Sequence, residues 1–184
     1  MIELRIEHLE RLQQILGNTP KQIPFVTARA INRAAEAART QAGRSVREKY
    51  VVKQKDVVST IKVKKATANN LNADIRSKGP VLKLMAFKVN PGKPQPGRKK
   101  KVTVSVKKGS QKSISNSFVA QTSSGHVNVF TRVSRKRLPI RGHYGPSVPQ
   151  MIGNESVIEF VENRASDVLD TRLQHEISRL IGGI

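Results

Sequence analysis

Apolar positions recur with a helical period through the first quarter of the chain. Ile2, Leu4, Ile6, Leu9, Leu12, Ile15 and Leu16 form a stripe that predicts a helix over residues 2–16, closed by Gly17-Asn18. Thr19 and Pro20 then suit the N-cap and first position of a second helix that runs to about Tyr50, with Pro24 bending its start. Its interior is rich in alanine (Ala28, Ala30, Ala34, Ala35, Ala37, Ala38, Ala42), which favours helix and lets another backbone come close. Residues 51–60 suit a short helix or turn with Val57, Val58 and Ile61 inward. From Ile61 the period changes to two. IKVKKAT, residues 71–76 and VLKLMAFKV (81–89) alternate or extend, and KVTVSVKK (101–108) is the clearest strand, with Val102, Val104 and Val106 on one face. FVAQT (118–122) and HVNVFTRV (126–133) flank Ser123-Ser124-Gly125 as a hairpin. Residues 90–101 suit a loop and residues 109–117 a polar link.

Three prolines and two glycines then crowd RKRLPIRGHYGPSVPQM (135–151). Proline fixes φ and lacks a donor, so this stretch is predicted to be an extended connector rather than a helix interior or central strand; Leu138, Ile140, Tyr144, Val148 and Met151 are apolar, so parts of it should dock against a core. Beyond it Asn154 can cap a last helix, with Val157, Val161, Val168, Leu169, Leu173, Ile177 and Leu180 near one face. The expected architecture is α+β: a central antiparallel sheet of four to five strands flanked by a long N-terminal helix pair and a C-terminal helix. At 184 residues the chain fits one domain, divided into a helical part (1–50), a basic β-rich middle (51–134, with loop 90–101), the connector (135–153) and the terminal helix (154–182).

Composition narrows the chemistry. Aromatics make up 4% and tryptophan is absent, so the core must rest on Val, Ile, Leu and Ala. No run of about 18 apolar residues offers a membrane span, and the charged, amphipathic N-terminus lacks the apolar segment of a secretory signal. With no cysteine there is neither a disulfide framework nor a thiolate metal site, which fits a reducing compartment.

Charge is unevenly placed. Residues 1–50 carry nine Lys/Arg and five Asp/Glu; residues 51–140 carry 21 against only Asp56 and Asp74; residues 141–184 carry four against six. The middle is therefore net +19 and the C-terminal region net −2. Such a field attracts a polyanion: nucleic acid, an anionic membrane or an acidic protein surface. Arg29, Arg33, Arg39, Arg44 and Arg47 of the second helix suit a solvated face or pairing with acids elsewhere more simply than DNA contact.

An enzyme needs a positioned constellation, and none can be assembled from these residues. His8, His126, His143 and His175 are far apart and show no metal-ligand spacing, and serines 113, 115, 117, 123 and 124 belong to loops. No catalytic, cofactor or metal residue is expected.

One motif is specific. Leu138, Pro139, Ile140, Arg141, Tyr144, Gly145, Pro146, Ser147, Val148, Pro149, Gln150 and Met151 follow a pattern L-P-I-R-x-x-Y-G-P-S-[IV]-P-Q-M. This resembles the minor tail protein Z family of lambda-like tailed bacteriophages. The similarity extends to AINRAAEAART (30–40), VKQKDVV (52–58) and FVAQTSSGHVNVFTR (118–132). The resemblance implies a non-enzymatic virion protein, assembled in the host cytoplasm, that completes the tail at its head-proximal end and readies it for joining to the head. It also implies a homo-oligomeric ring, six-fold as such tails are, touching tail tube, terminator or neck proteins, with channel DNA as a further candidate partner and no membrane partner. The alternative from charge alone is a non-specific nucleic-acid-binding module, though stacking aromatics are few. Candidate interface residues are Leu138, Pro139, Ile140, Arg141, Tyr144, Gly145, Pro146, Ser147, Pro149 and Met151 of the motif. Arg141 and Tyr144 either contact a neighbouring subunit or satisfy local carbonyls. Candidate polyanion contacts are Arg98, Lys99, Lys100, Lys101, Arg135, Lys136 and Arg137.

Overall fold

The computed structural model describes residues 21–97 and 100–181. The predicted helix over 2–16 and the proposed Thr19-Pro20 cap lie outside the described residues. In the alanine-rich helix, α1 (Ile23–Lys49), Lys21 and Gln22 form a turn ahead of the first residue and Pro24 occupies the first helical turn. Pro24 is tolerated there because a first-turn N–H has no intrahelical acceptor. The helix ends where Tyr50 turns extended and its N–H reaches the Val46 carbonyl at 2.8 Å.

A second long helix, α4 (Glu155–Ile181), lies antiparallel to α1. Its start is set by Asn154, whose carbonyl accepts from Val157 and Ile158 at 2.7 and 3.0 Å. The Asn154 side-chain oxygen takes the Ser156 hydroxyl at 2.7 Å. Ala34, Ala35 and Ala38 of α1 are fully buried, as is Ala165 of α4, so the seam is built from small side chains that let the two backbones approach. Two apolar clusters share this seam. One joins Ile23, Ile31 and Ala34 to Leu169 and Leu173, with Ala66 beneath. The other joins Ala38, Ala42 and Val46 to Val157 and Val161 and continues into the strands. A short helix, α2 (Gln54–Val58), folds against α1 and buries Val57.

The strands are β1 (Ile61–Lys64), β2 (Asp74–Ser77), β3 (Val81–Lys83), β4 (Lys88–Asn90), β5 (Val102–Ser105), β6 (Lys112–Ile114), β7 (Ser117–Gln121), β8 (Val127–Arg132), β9 (Ile140–Gly142) and β10 (Tyr144–Ser147). They do not form the single sheet of four to five strands expected from the sequence. They form four small antiparallel ladders: β1-β2, β10-β3, β4-β5-β6 and β7-β8-β9. The reason is local. A 3-10 turn at Leu84–Ala86 breaks the apolar run 81–89 in two, sending β3 to one ladder and β4 to another. The segment 109–117, expected to be a polar link, contributes β6, whose only apolar residue is Ile114. In the β7-β8 hairpin the Thr122 N–H donates to the His126 carbonyl at 2.8 Å. Gly125 takes φ +80°, a left-handed conformation that a β-carbon would disfavour.

Residues 135–151 are also more structured than an extended connector. They supply β9, β10 and a short helix, α3 (Val148–Ile152). Each proline sits where its ring and missing N–H are tolerated. Pro139 precedes β9, which is an edge strand; Pro146 sits where the β10–β3 register shifts; Pro149 occupies the first turn of α3.

Candidate interaction surface

The motif divides into an inner frame and an outer strip. The frame comes first in energetic weight. Val148 and Met151 are 1% and 0% exposed and join the larger apolar cluster. Ser147 caps α3 reciprocally with Gln150: the Gln150 N–H donates to Ser147 Oγ at 3.3 Å, and the Ser147 N–H donates to Gln150 Oε1 at 2.8 Å. Gly145 lies against the ring of Phe87, where a β-carbon would come within 2.5 Å of Cε2. His143, which follows β9 directly, ties this segment to its surroundings mainly through its backbone. Its N–H donates to the Val129 carbonyl and its carbonyl accepts from Asn128 Nδ2, both at 2.9 Å, while Nε2 lies 3.1 Å from Thr131 Oγ1.

The outer strip is what this frame presents. Leu138 is 64% exposed and Tyr144 57%, with Val133 beside the strip at 65%. Arg141 is exposed on β9, opposite Thr131 of β8. Among the described residues neither the Arg141 guanidinium nor the Tyr144 hydroxyl reaches a carbonyl of this chain. Exposed apolar side chains and an arginine on one ordered segment have the composition of a protein contact surface.

The predicted polyanion contacts separate into two places. Arg135, Lys136 and Arg137 are exposed on the turn between β8 and β9, which the Val133 N–H closes onto the Pro139 carbonyl at 3.1 Å. Lys100 and Lys101 are exposed ahead of β5, in a different ladder, while Arg98 and Lys99 lie outside the described residues. The ladders do not join the two groups. A third basic place escaped the sequence argument. The solvent face of the β1-β2 hairpin forms a cleft of about 550 Å³ lined by Lys62, Lys64, Arg76 and Lys78 with Ser59 and Thr60. Lys62 stands directly opposite Arg76, a like-charge cross-strand pair that is unfavourable until an anion is near. Asp74 offsets this only partly, 3.6 Å from Arg76.

The C-terminal helix is not uniformly acidic around its circumference. Phe160, Arg164, Val168, Arg172 and Glu176 follow at intervals of four and so share one row, while Glu155, Glu159 and Asp167 share another. On α1 the row Phe25, Arg29, Arg33 and Ala37 runs antiparallel to the arginine row of α4: Arg29 donates to Glu176 at 2.7 Å, and Arg44 lines the same cavity as Arg164. Between the rows run two adjoining cavities of about 540 and 340 Å³ that share Arg33, Glu36 and Arg172. The expected pairing of α1 arginines with acids elsewhere is met by Arg29, and locally by Arg39 with Glu36 at 3.6 Å. Arg33, Arg44, Arg164 and Arg172 have no carboxylate at ion-pair distance among the described residues. These arginines were visible in the sequence, but only the antiparallel packing of α1 and α4 brings them together.

Among the described residues no three His, Cys, Asp or Glu side chains cluster to hold a metal ion, and no helix is long and apolar enough to cross a membrane. What the surface offers is contact: an ordered apolar strip, basic clefts and an arginine groove. A family model described as prophage minor tail protein Z (GPZ) matches residues 3–182. No curated protein and no solved structure matches the chain.

Proposed function

Since the chain belongs to the prophage minor tail protein Z family, we propose that this component of the virion tail completes the tail at its head-proximal end and readies it for joining to the head. The role is structural rather than catalytic. Several copies assemble in the host cytoplasm as a ring, six-fold to match the tail, and contact tail tube, terminator or neck proteins. The observation that carries this reading is the outer strip: Leu138, Arg141 and Tyr144 stand exposed on a segment whose other motif residues, Gly145, Ser147, Val148 and Met151, are fixed into the body. A fold that anchors one half of a motif so firmly is presenting the other half to a partner.

Charge supports a ring over a two-fold dimer. A contact between the acidic rows of α4 and a basic surface joins unlike patches, and such contacts close into rings or run on as filaments. The excess positive charge has a natural counterpart in the DNA that passes through the tail, with the Lys62–Arg76 cleft, the Arg135–Arg137 turn and Lys100–Lys101 as the surfaces that would face it.

The test is a stop codon in the gene of an inducible prophage. The expected result is full-length tails that fail to join filled heads, with joining restored by wild-type protein in trans and lost again with Leu138→Ala, Arg141→Ala and Tyr144→Phe combined. Cryo-electron microscopy of finished tails should place the chain as a ring at the head-proximal end; a single copy at the distal tip would overturn the proposal. The nucleic-acid reading rests on the like-charge pair in the β1-β2 cleft. It predicts tight, salt-dependent binding of the purified protein to duplex DNA, and normal head joining without the protein.

A further inference from the structure

The α1–α4 groove runs from Arg29 to Arg44, fifteen residues of helix or about 22 Å at 1.5 Å per residue. Arg33, Arg44, Arg164 and Arg172 line it without a partner carboxylate among the described residues. Each bounding row ends in an exposed phenylalanine: Phe25, 62% exposed, one turn before Arg29, and Phe160, 54% exposed, one turn before Arg164. Because the helices are antiparallel, the two rings sit towards opposite ends. Arginines along the middle with an aromatic anchor at each end describe a protein-binding groove. Glu36 and Glu176 also line the groove, but the Arg and Lys side chains that line it outnumber them and leave it net positive.

The outer side of α4 carries the complementary pattern. Glu155, Glu159 and Asp167 lie on one row, with Asn163 completing it, and Glu162 and Asp170 lie on the adjoining one. All five acids are exposed and free of salt bridges among the described residues. Glu155 to Asp170 again spans fifteen residues, about 22 Å, the length of the groove. The carboxylates Glu155, Glu159 and Asp167 and the α4 arginines Arg164 and Arg172 thus lie on rows of the same four-residue period, with Arg29 and Arg33 four apart on α1. A ridge of this period packs into the furrow between similar rows.

We infer that the α1–α4 groove receives the acidic face of α4 from a second copy of this chain. The occupant and the groove use different rows of α4, so each copy can give its acidic face to one neighbour while its groove accepts another. The contact is therefore head to tail. It rests on the ring proposed above and names the surfaces that build it: the helical groove rather than the basic middle region takes the acidic helix.

Two variants test this in purified full-length protein. One reverses the face with Glu155→Lys, Glu159→Lys and Asp167→Lys; the other reverses the groove with Arg33→Glu, Arg164→Glu and Arg172→Glu. Sedimentation of wild-type protein should show oligomers. Each variant alone should sediment as a monomer, and an equimolar mixture should return to the wild-type value, because every contact in an alternating assembly is again between opposite charges. Melting curves establish that both variants fold. If either does not, Ala37→Cys with Asn163→Cys in the cysteine-free chain supplies the second measurement. Oxidation should give a ladder of cross-linked species from the double variant and none from either single variant. A monomeric wild type, a variant alone that assembles as wild type does, or a mixture that stays monomeric would overturn the inference. So would loss of assembly on reversing Glu3, Glu7 and Glu10 with the α4 acids dispensable, which would give the groove to the chain's own N-terminal segment. Loss of DNA binding in the groove variant with assembly intact would give it to nucleic acid. The tail role itself is scored separately, by the presence of the chain in purified tails, so that the groove assignment can fail while the tail role stands.

Discussion

Replacing Gly145 by alanine would bring a methyl carbon 2.5 Å from Cε2 of Phe87 and 3.0 Å from Cζ. Its φ is not in the left-handed region, so alanine meets no backbone penalty and the contact alone decides the outcome. Phe87 is 6% exposed and belongs to the larger apolar cluster, so its ring has little room to swing away. An added methyl in a packed interior costs about 1–3 kcal/mol. For a chain of this length that corresponds to a fall in Tm of roughly 2–12 °C. The assay is urea and thermal unfolding of Gly145→Ala, Phe87→Leu and the double variant. Leucine lacks the far edge of the ring, so the double variant should be more stable than the two separate costs predict, with a coupling of about 1–2 kcal/mol. A Gly145→Ala protein within about 0.5 kcal/mol of wild type, or costs that simply add, would refute the reasoning that the ring dictates glycine here.

Other substitutions separate frame from strip. Met151→Ala empties a fully buried site and should cost about 2–5 kcal/mol in urea unfolding. Ser147→Ala removes the α3 cap and should cost about 1 kcal/mol, with Ser147→Asp closer to wild type. Leu138→Ala, Arg141→Ala and Tyr144→Phe should each leave the Tm within about 2 °C of wild type, since surface changes stay within roughly 0.5 kcal/mol, while lowering incorporation into tails. Glu176→Gln breaks the 2.7 Å pair with Arg29, but because Arg29 is 56% exposed the loss in stability should remain below about 1 kcal/mol and shrink with added salt.

The helices were legible because alanine and aliphatic residues recur at the helical period in α1 and α4, strongly enough to outweigh the single glycine, Gly43, inside α1. The β-rich middle was legible as strands but not as a sheet. Period two tells which side of a strand is buried; it does not tell which strand lies beside it. The division into four ladders depends on breaks such as Leu84–Ala86, which has no proline or glycine to announce it. β6 was missed because Lys112-Ser113-Ile114 is held by pairing with β5 rather than by burial. The 135–151 segment misled in the opposite sense: its prolines argued against regular structure, yet each occupies a position where proline is tolerated. Charge counted by segment hid the groove as well. Summing over α4 gives a net acidic helix, while its arginines and carboxylates occupy different rows, and the partner arginines of α1 lie more than 100 residues away in the sequence.

That separation has a consequence for how the chain folds. Arg29 and Glu176 are 147 residues apart, and the seam they mark is the longest apolar contact between helices. During synthesis α1 emerges well before its partner, with its alanine face uncovered. Closing a loop of that size costs on the order of 4 kcal/mol in chain entropy if nothing between is yet ordered. The Asn32 side chain shortens it: its oxygen accepts the Ala66 N–H at 2.8 Å and its amide donates to the Ala66 carbonyl at 3.0 Å, fixing the entry to the β-rich region against α1 across only 34 positions. Contacts so distant in sequence slow folding. The chain is thus a late closer: until α4 has been made, the surface that will hold its two long helices together is the one most open to the wrong neighbour.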